Sequence, residues 1–502
     1  MVPNDPVYRI KSPAWRNMAI GPLTNSLLTL SGSALARKIR EGELSSFDAV
    51  HAHIDRAREV HPVLNAIVCN RFDEALQEAK SADDRLRAGD TPLPPFFGVP
   101  CSIKEAFALT GMPNTGGLVA RAGIPATRDA TAVSRLRAAG AIPIGVTNIS
   151  ELCMWMESDN RVYGRTNNPY DPKRTVGGSS GGEGALIGAG ASPFGLGSDV
   201  GGSIRMPAFF NGIFGHKPTG ALVPNTGQFP VATGAGLRYL TTGPMCRKAE
   251  DLMPLLRVLV GPDGLDTECR PFPLGDPASV DLSGLDVMIV ETNGAVGVSR
   301  DLREAQRNAA NALQNRGACI RTERIEALRH SFEIWGGMLA DAGGESFASR
   351  MGNGQPFSAT SELLRWASGR SDHTLPAIAL AFAEKFPALA PERSRRFVRM
   401  GHALRRELVD RIGDGIMLYP SYARPAPLHY TPMLKPFEWV YTAIINTMEL
   451  PATQVPLGLN SKGLPLGVQV VGRHGNDHVT IAVALELERA MGGWVPPASA
   501  RN

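Results

Sequence analysis

Two serines stand in glycine-rich runs 24 residues apart, and a lysine lies 75 residues before the first of them. The serines are Ser179, in Gly177-Gly178-Ser179-Ser180-Gly181-Gly182, and Ser203, in Gly201-Gly202-Ser203. The lysine is Lys104, which ends Phe97-Gly98-Val99-Pro100-Cys101-Ser102-Ile103-Lys104. Glycine lets a backbone turn sharply and point successive N–H groups into one small space. A hydroxyl in such a nest has donors for an oxyanion beside it. The chemistry these residue types suit is attack on a carbonyl, and that needs a base. Lys104 can serve only when neutral. A free lysine has a pKa of about 10.4, and burial lowers it by disfavouring the charged form. The apolar run before Lys104 reads as a buried strand. A lone lysine at a strand end more commonly snorkels to water, so burial is the point to check.

Other patterns fit less well. A P-loop needs Gly-Lys followed by Ser or Thr, and no such sequence follows these glycines. Gly177-x-Ser179-x-Gly181 and Gly178-x-Ser180-x-Gly182 both match a nucleophile elbow. That fold requires a downstream acid and histidine. Asp477 and His478 are adjacent in the chain, which makes their convergence on one serine implausible. His51 and His53 form H-x-H, but on a helix they face different ways. No metal site and no organic cofactor is expected.

The Gly177–Pro218 segment resembles the signature of the amidase-signature hydrolases. Lys104 stands where that family keeps its lysine, and both spacings agree with the family's. Thr147–Trp155, Gly164–Pro169, Gly463–Gln469 and Leu44–Val68 also resemble family blocks, so the likeness covers most of the chain. Cys153–Ser158 and Met206–Lys217 are most similar to fatty-acid amide hydrolases of the second type. The resemblance implies one α/β domain over residues 1–502, with a mixed twisted sheet between helices. The core signature would occupy residues 97–220, and a cap near the substrate entrance residues 355–400.

It also implies roles. Ser203 attacks the amide carbonyl, and the N–H groups of Val200, Gly201, Gly202 and Ser203 form the oxyanion hole. Ser179 relays a proton from Ser203 to Lys104, and the relay then reverses to protonate the leaving amine. Ser180 is the rival for the relay; the 24-residue spacing favours Ser179. In this family the peptide bond to the relay serine is cis. Asp199 and Arg205 flank the nucleophile and could pair to brace the nest; a surface ion pair of little worth is the alternative. Cys153, Met154 and Trp155 stand on a block that lines the acyl pocket in related enzymes, or are ordinary core.

The elements that must position these groups can be read from periodicity and caps. Helices are expected from Ser45 to about Val60, opened by a capping-box-like start, and over Asp73–Ala88, Ala130–Ala139 and the residues after Ser180. Strands are expected over Phe97–Lys104, Ala141–Val146 and Pro193–Gly197. Asp286–Glu291, Asp301–Arg316 and Ala318–Arg321 read as strand, helix and strand, the unit of a parallel sheet. Leu466–Val471 is a late strand and Asp477–Met491 a closing helix.

Composition limits the partners. The 502 residues are 43% hydrophobic and carry a formal net charge of +4, which suits a sizeable core and gives no basic stripe for nucleic acid. Six cysteines are scattered without C-x-x-C pairs, as in a reducing, cytoplasmic compartment. Asn17–Ala36 is uncharged but repeatedly broken by Gly, Pro, Asn, Ser and Thr, so it does not read as a membrane span. Leu375–Ala383 is apolar, and Arg393, Arg395, Arg396 and Arg399 follow it. That pattern suits contact with an anionic membrane surface, packing over an acyl pocket, or a homodimer contact. The expected substrate is a small apolar amide, a fatty-acid amide or N-acyl amine. Two other functions share the scaffold: the glutaminase-like component of an aminoacyl-tRNA amidotransferase complex, and a non-catalytic binding module.

Overall fold

The computed structural model describes residues 20–384 and 391–497. The start of the Asn17–Ala36 stretch, residues 385–390 of the expected cap, and both chain ends of the expected single domain lie outside the described residues.

Eleven strands form one mixed sheet. They are β1 (Ile67–Asn70), β2 (Val99–Lys104), β3 (Ala141–Thr147), β6 (Phe194–Asp199), β7 (Phe214–Lys217), β8 (Thr241–Cys246), β9 (Asp286–Ile289), β10 (Cys319–Thr322), β11 (Ile416–Tyr419), β12 (Ala452–Leu459) and β13 (Pro465–Val471). A separate ribbon pairs β4 (Asp159–Asn160) with β5 (Gly164–Arg165). The order across the sheet is β1-β3-β2-β6-β8-β7-β12-β13-β11-β9-β10. β3, β2 and β6 run parallel, as do β11, β9 and β10; antiparallel pairings join the two groups. β2, β3 and β6 are buried along their whole lengths; β3 and most of β2 accordingly read as near-continuous apolar runs, whereas β6 ends in the buried polar pair Ser198 and Asp199.

The expected elements fall close to the observed ones. The helix opened by Ser45 runs over Ser46–Leu64. Ser45 Oγ accepts from the Asp48 N–H at 2.9 Å and donates to the Asp48 carboxylate at 2.6 Å. The helix passes the expected end at Val60 because Val63 and Leu64 bury in the same cluster as Val60. Asn65 then stops it in the left-handed conformation, with φ 51°. β9, the helix Arg300–Gln314 and β10 form the expected parallel unit at one edge of the sheet.

The 355–400 region holds the helices Ala359–Ala367 and Leu375–Ala383 and the start of Pro391–Ile412. The apolar run at Leu375 builds a small core of its own. Ala377, Ile378 and Ala381 are buried with Leu118, Leu152 and Met351, while Leu380 and Phe382 are half-buried. Buried Glu151 ties this core to the signature side of the fold: it accepts from His373 Nδ1 at 2.6 Å and from the Thr374 N–H and hydroxyl at 2.8 Å each. No helix among the described residues is long and apolar enough to cross a membrane.

Candidate active site

The site forms at the carboxyl ends of the parallel strands β2, β3 and β6, where open sheets of this kind leave a crevice. Lys104 is the last residue of β2, beside Thr147 of β3. It is fully buried rather than snorkelling. Its Nζ donates to Ser179 Oγ at 2.7 Å and to the Oγ and O of Ser198 on β6, at 3.0 and 3.2 Å. Burial lowers the Lys104 pKa; Cys153, Asp199, Glu183 and Glu105 oppose that shift without cancelling it. Burial favours the neutral amine, whose lone pair could accept from the Ser179 hydroxyl across the same 2.7 Å, the arrangement a base needs.

Ser179 leads into the helix Gly181–Gly188 through a cis Gly178–Ser179 peptide. No side chain fits at Gly178, whose Cα faces the backbone of Trp155 and Glu157. Ser158 fastens the nest: its Oγ donates to the carbonyls of Gly177 and Ser179 at 3.1 and 3.2 Å, and accepts from Gly181 N–H at 3.0 Å. Ser180 joins the two nests instead of contacting the lysine. Its N–H donates to the Ser203 carbonyl at 3.2 Å, and its hydroxyl to the Ser198 carbonyl at 3.3 Å.

Ser203 follows β6 in the turn before the helix Arg205–Phe210 and is 7% exposed. Its Oγ carries no hydrogen bond among the described residues. The Ser179–Ser203 link of the expected relay is therefore open here, as catalytic hydrogen bonds often are before substrate tightens them. The nest departs from the expected set of four oxyanion donors. Gly202 N–H is already taken by Asp199 Oδ1 at 2.6 Å. Gly202 sits at φ +117°, and a Cβ there would run into Thr442, so the turn excludes any side chain. The N–H groups of Val200, Gly201 and Ser203 have no partner among the described residues.

Asp199 and Arg205 are a buried pair, not a surface one, and both are 0% exposed. Arg205 Nε and one of its terminal nitrogens reach the two Asp199 oxygens at 3.1 Å each. Arg205 also donates to Gln469 Oε1 (2.7 Å), the Thr442 carbonyl (2.9 Å) and Asn446 Oδ1 (2.6 Å). Burial would raise the Asp199 carboxyl, but the Arg205 charge and hydrogen bonds prevail and hold it at about 2. Arg205→Met leaves Asp199 buried without its guanidinium. We expect a loss of about 3–5 kcal/mol of stability, read as a lower denaturant midpoint; an unchanged midpoint would count against this bracing role.

Of the expected pocket residues, Cys153 lies closest to the chemistry. Its thiol is beside Lys104 and Ser179, on a turn where Leu152 and Cys153 both have positive φ (51° and 59°). Burial pushes that thiol up. Met154 is half-buried on the same turn. Trp155 packs against the cluster that holds Met156, Phe210 and Tyr422, and lines an adjoining cleft of about 1020 Å³ with Asp159, Tyr163 and Tyr430.

Several residues here escape a reading of the sequence. Glu183, on the helix after Ser180, is buried under the site, where it accepts from Ser102 Oγ at 2.6 Å and Thr147 Oγ1 at 2.8 Å. Burial pushes its carboxyl up to about 8, and that of Glu105 up to about 7. Glu183 is the one acid in an otherwise Gly, Ala, Leu and Ile helix, and that oddity was the available signal. Trp335 and Trp439 pack on Gly201 and meet edge to face, with ring centroids 4.7 Å apart. Phe332 continues this aromatic row to the surface, 4.9 Å from Phe437. No local pattern marks any of the four.

The elbow alternative fails on geometry. Asp477 accepts from Thr219 Oγ1 at 2.6 Å and lies 3.1 Å from His216 Nε2, whereas His478 packs against Gly275. His51 and His53 do face apart: the first lies 3.1 Å from Asp55 and is exposed, the second is buried.

Known proteins are similar to this chain in sequence and in fold. Residues 48–481 match the family model described as Amidase. Fatty-acid amide hydrolase 2 of Homo sapiens is 45% identical over 97% of this chain and 93% of its own length. Fatty-acid amide hydrolase 2-B of Danio rerio is 46% identical over 98% and 95%. A glutamyl-tRNA(Gln) amidotransferase chain of Oleidesulfovibrio alaskensis is 29% identical over 93% and 97%. Among solved structures, 6-aminohexanoate cyclic dimer hydrolase superposes with a TM-score of 0.79 at 26% identity, covering 95% of this chain and 98% of that one. A fatty acid amide hydrolase superposes with a TM-score of 0.77 at 24% identity, covering 94% and 86%. A buried lysine bonded to a serine in one glycine nest, a second serine in the next nest, and a family match across most of the sequence lead to one conclusion: this chain belongs to the amidase family of amide hydrolases.

Proposed function

We propose that the chain hydrolyses fatty-acid amides or similarly apolar N-acyl amines through an acyl-enzyme on Ser203. The observation that carries the mechanism is the 2.7 Å hydrogen bond from buried Lys104 to Ser179. Neutral Lys104 takes a proton from Ser179 as Ser179 takes one from Ser203, and Ser203 Oγ bonds to the amide carbon. The negative charge gathers on the former carbonyl oxygen in the Val200–Ser203 nest. The protonated lysine then returns its proton through Ser179 to the amide nitrogen, and the C–N bond breaks. Water repeats the sequence on the ester and releases the acid.

The apolar substrate class is supported by the relatives at 45–46% identity, which carry that name, whereas the amidotransferase chain stands at 29%. The aromatic row from exposed Phe332 and Phe437 inward to Trp439 and Gly201 also suits an apolar chain. Delivery from a lipid surface belongs to the same proposal. Leu434 and Phe437 beside that row are 80% and 48% exposed, and half-buried Leu380 and Phe382 stand on the 375–383 helix. The test is a series of N-acyl amides from short to long chains, given to the chain purified alone, with and without anionic vesicles. kcat/KM is expected to rise with acyl length, and vesicles to favour the long chains selectively. Preference for short amides, or turnover only with added partner proteins, would overturn the substrate assignment.

A further inference from the structure

An oxyanion hole made of backbone N–H groups works only if each peptide plane is turned the right way. A side chain cannot grip an N–H that must stay free. It can grip the carbonyl of the same peptide, because C=O and N–H point in opposite directions across a planar trans unit. The Asp199–Ser203 turn contains no cis peptide, so the partners of its carbonyls report where its N–H groups point.

Four successive carbonyls are held. That of Asp199 accepts from Asn446 Nδ2 at 2.8 Å and Thr241 Oγ1 at 3.3 Å, which directs the Val200 N–H away from them. That of Gly201 accepts from Thr442 Oγ1 at 3.0 Å, which directs the Gly202 N–H to the opposite side, where it meets Asp199. That of Gly202 accepts from the Met206 N–H at 2.7 Å inside the following helical turn. That of Val200 accepts from the indole Nε1 of Trp335 at 3.0 Å. The Gly201 carbonyl and the Gly202 N–H thus find separate partners across one peptide unit.

We propose that Trp335 is a positioning residue of the oxyanion hole: its indole N–H holds the Val200 carbonyl and so aims the Gly201 N–H at the oxygen that becomes negative. This rests on Ser203 being the nucleophile. Trp335 is suited to the task. It lies on the helix Ser331–Asp341, 135 residues beyond Val200, is 8% exposed, and is braced edge-on by Trp439. The Asp199 carbonyl has two side-chain donors and that of Gly202 a local backbone donor; the Val200 carbonyl has Trp335 alone among the described residues. Its loss therefore frees one peptide plane and leaves the rest of the turn in place.

Trp335→Phe keeps an aromatic ring and removes the donor. Losing a whole oxyanion donor costs about 10²–10³-fold in kcat, so a donor that is present but no longer aimed should cost about 10- to 100-fold, with KM little changed. Two inhibitors with the preferred acyl chain separate aiming from packing. A trifluoromethyl ketone adds Ser203 and places an oxyanion in the hole; the matching secondary alcohol cannot. The expected result is a Ki for the ketone that rises with the fall in kcat, while the Ki for the alcohol stays put. Unchanged kcat and ketone affinity, or equal weakening of both inhibitors, overturns the proposal. If the Phe variant does not fold, β-(3-benzothienyl)alanine at position 335 keeps the ring shape without the N–H and is read by the same criteria. Wild-type turnover that does not depend on Ser203 would sink the nucleophile assignment and this inference with it, an outcome separate from an active enzyme indifferent to position 335.

Discussion

Ser203→Ala is expected to lower kcat by about 10⁴- to 10⁶-fold, the range seen when single members of a coupled serine site are removed. The same variant should resist labelling by a fluorophosphonate. The reason is geometric. Ser203 Oγ is the hydroxyl without a hydrogen bond at the mouth of a nest whose free N–H groups belong to Val200, Gly201 and Ser203 itself. Ser179 is committed to Lys104, and Ser180 to the Ser198 carbonyl. Mass spectrometry of the labelled protein reads the result. Normal labelling of Ser203→Ala, with loss on Ser180→Ala, would move the nucleophile to the first nest.

Lys104→Ala should cost several orders of magnitude in kcat, while His478→Ala, beside Gly275 and away from the nests, should keep its rate. The pH dependence follows from the sign of the Lys104 shift. The base is the neutral form, so the wild-type rate falls as pH drops through the lowered pKa and Lys104 gains its proton. Burial moves that limb down from the range of a free lysine. Glu183, pushed up to about 8, and Glu105, to about 7, change charge nearby and raise the lysine's proton affinity once ionised. The acid limb of kcat/KM therefore belongs to the cluster rather than to one residue. In Lys104→Ala the residual rate should lose that limb. A dead histidine variant with an active lysine variant would replace the relay with a Ser–His–Asp mechanism.

The residues of the proposed relay were legible because each lies in a local pattern with a physical reason. Glycines at 177, 178, 181 and 182 surround Ser179, and those at 201 and 202 precede Ser203, so each serine stands where a nest can form. Lys104 was marked by the apolar run before it, but only the fold showed that its side chain is buried rather than snorkelling to water. The Asp199–Arg205 pair was visible as a pair, but its worth was not: spacing cannot tell a solvated ion pair from one at 0% exposure. The segment Leu375–Ala383 was legible as apolar and left three destinations open, because a greasy face looks the same whether it meets lipid, an acyl pocket or a second copy of the chain; the fold buries part of it in a small core of its own.

The sequence by itself determined the family and the residue types its chemistry needs: two serines in glycine nests and a lysine that must be buried to act, in the spacing of the amidase family. It also located six of the thirteen strands and six of the helices found among the described residues, because caps and periodicity act over a few residues. Tertiary structure alone decided how the turn before Ser203 is held. Trp335, Thr442 and Asn446 reach it from 135, 241 and 247 residues away. A hydrogen bond to a particular carbonyl depends on where packing carries the donor, and no local rule encodes that. For the same reason Gly202 read as one oxyanion donor among four until the fold put the Asp199 carboxylate against its N–H. A backbone N–H has one direction, and the peptide plane on which it lies is set by whatever grips the other end.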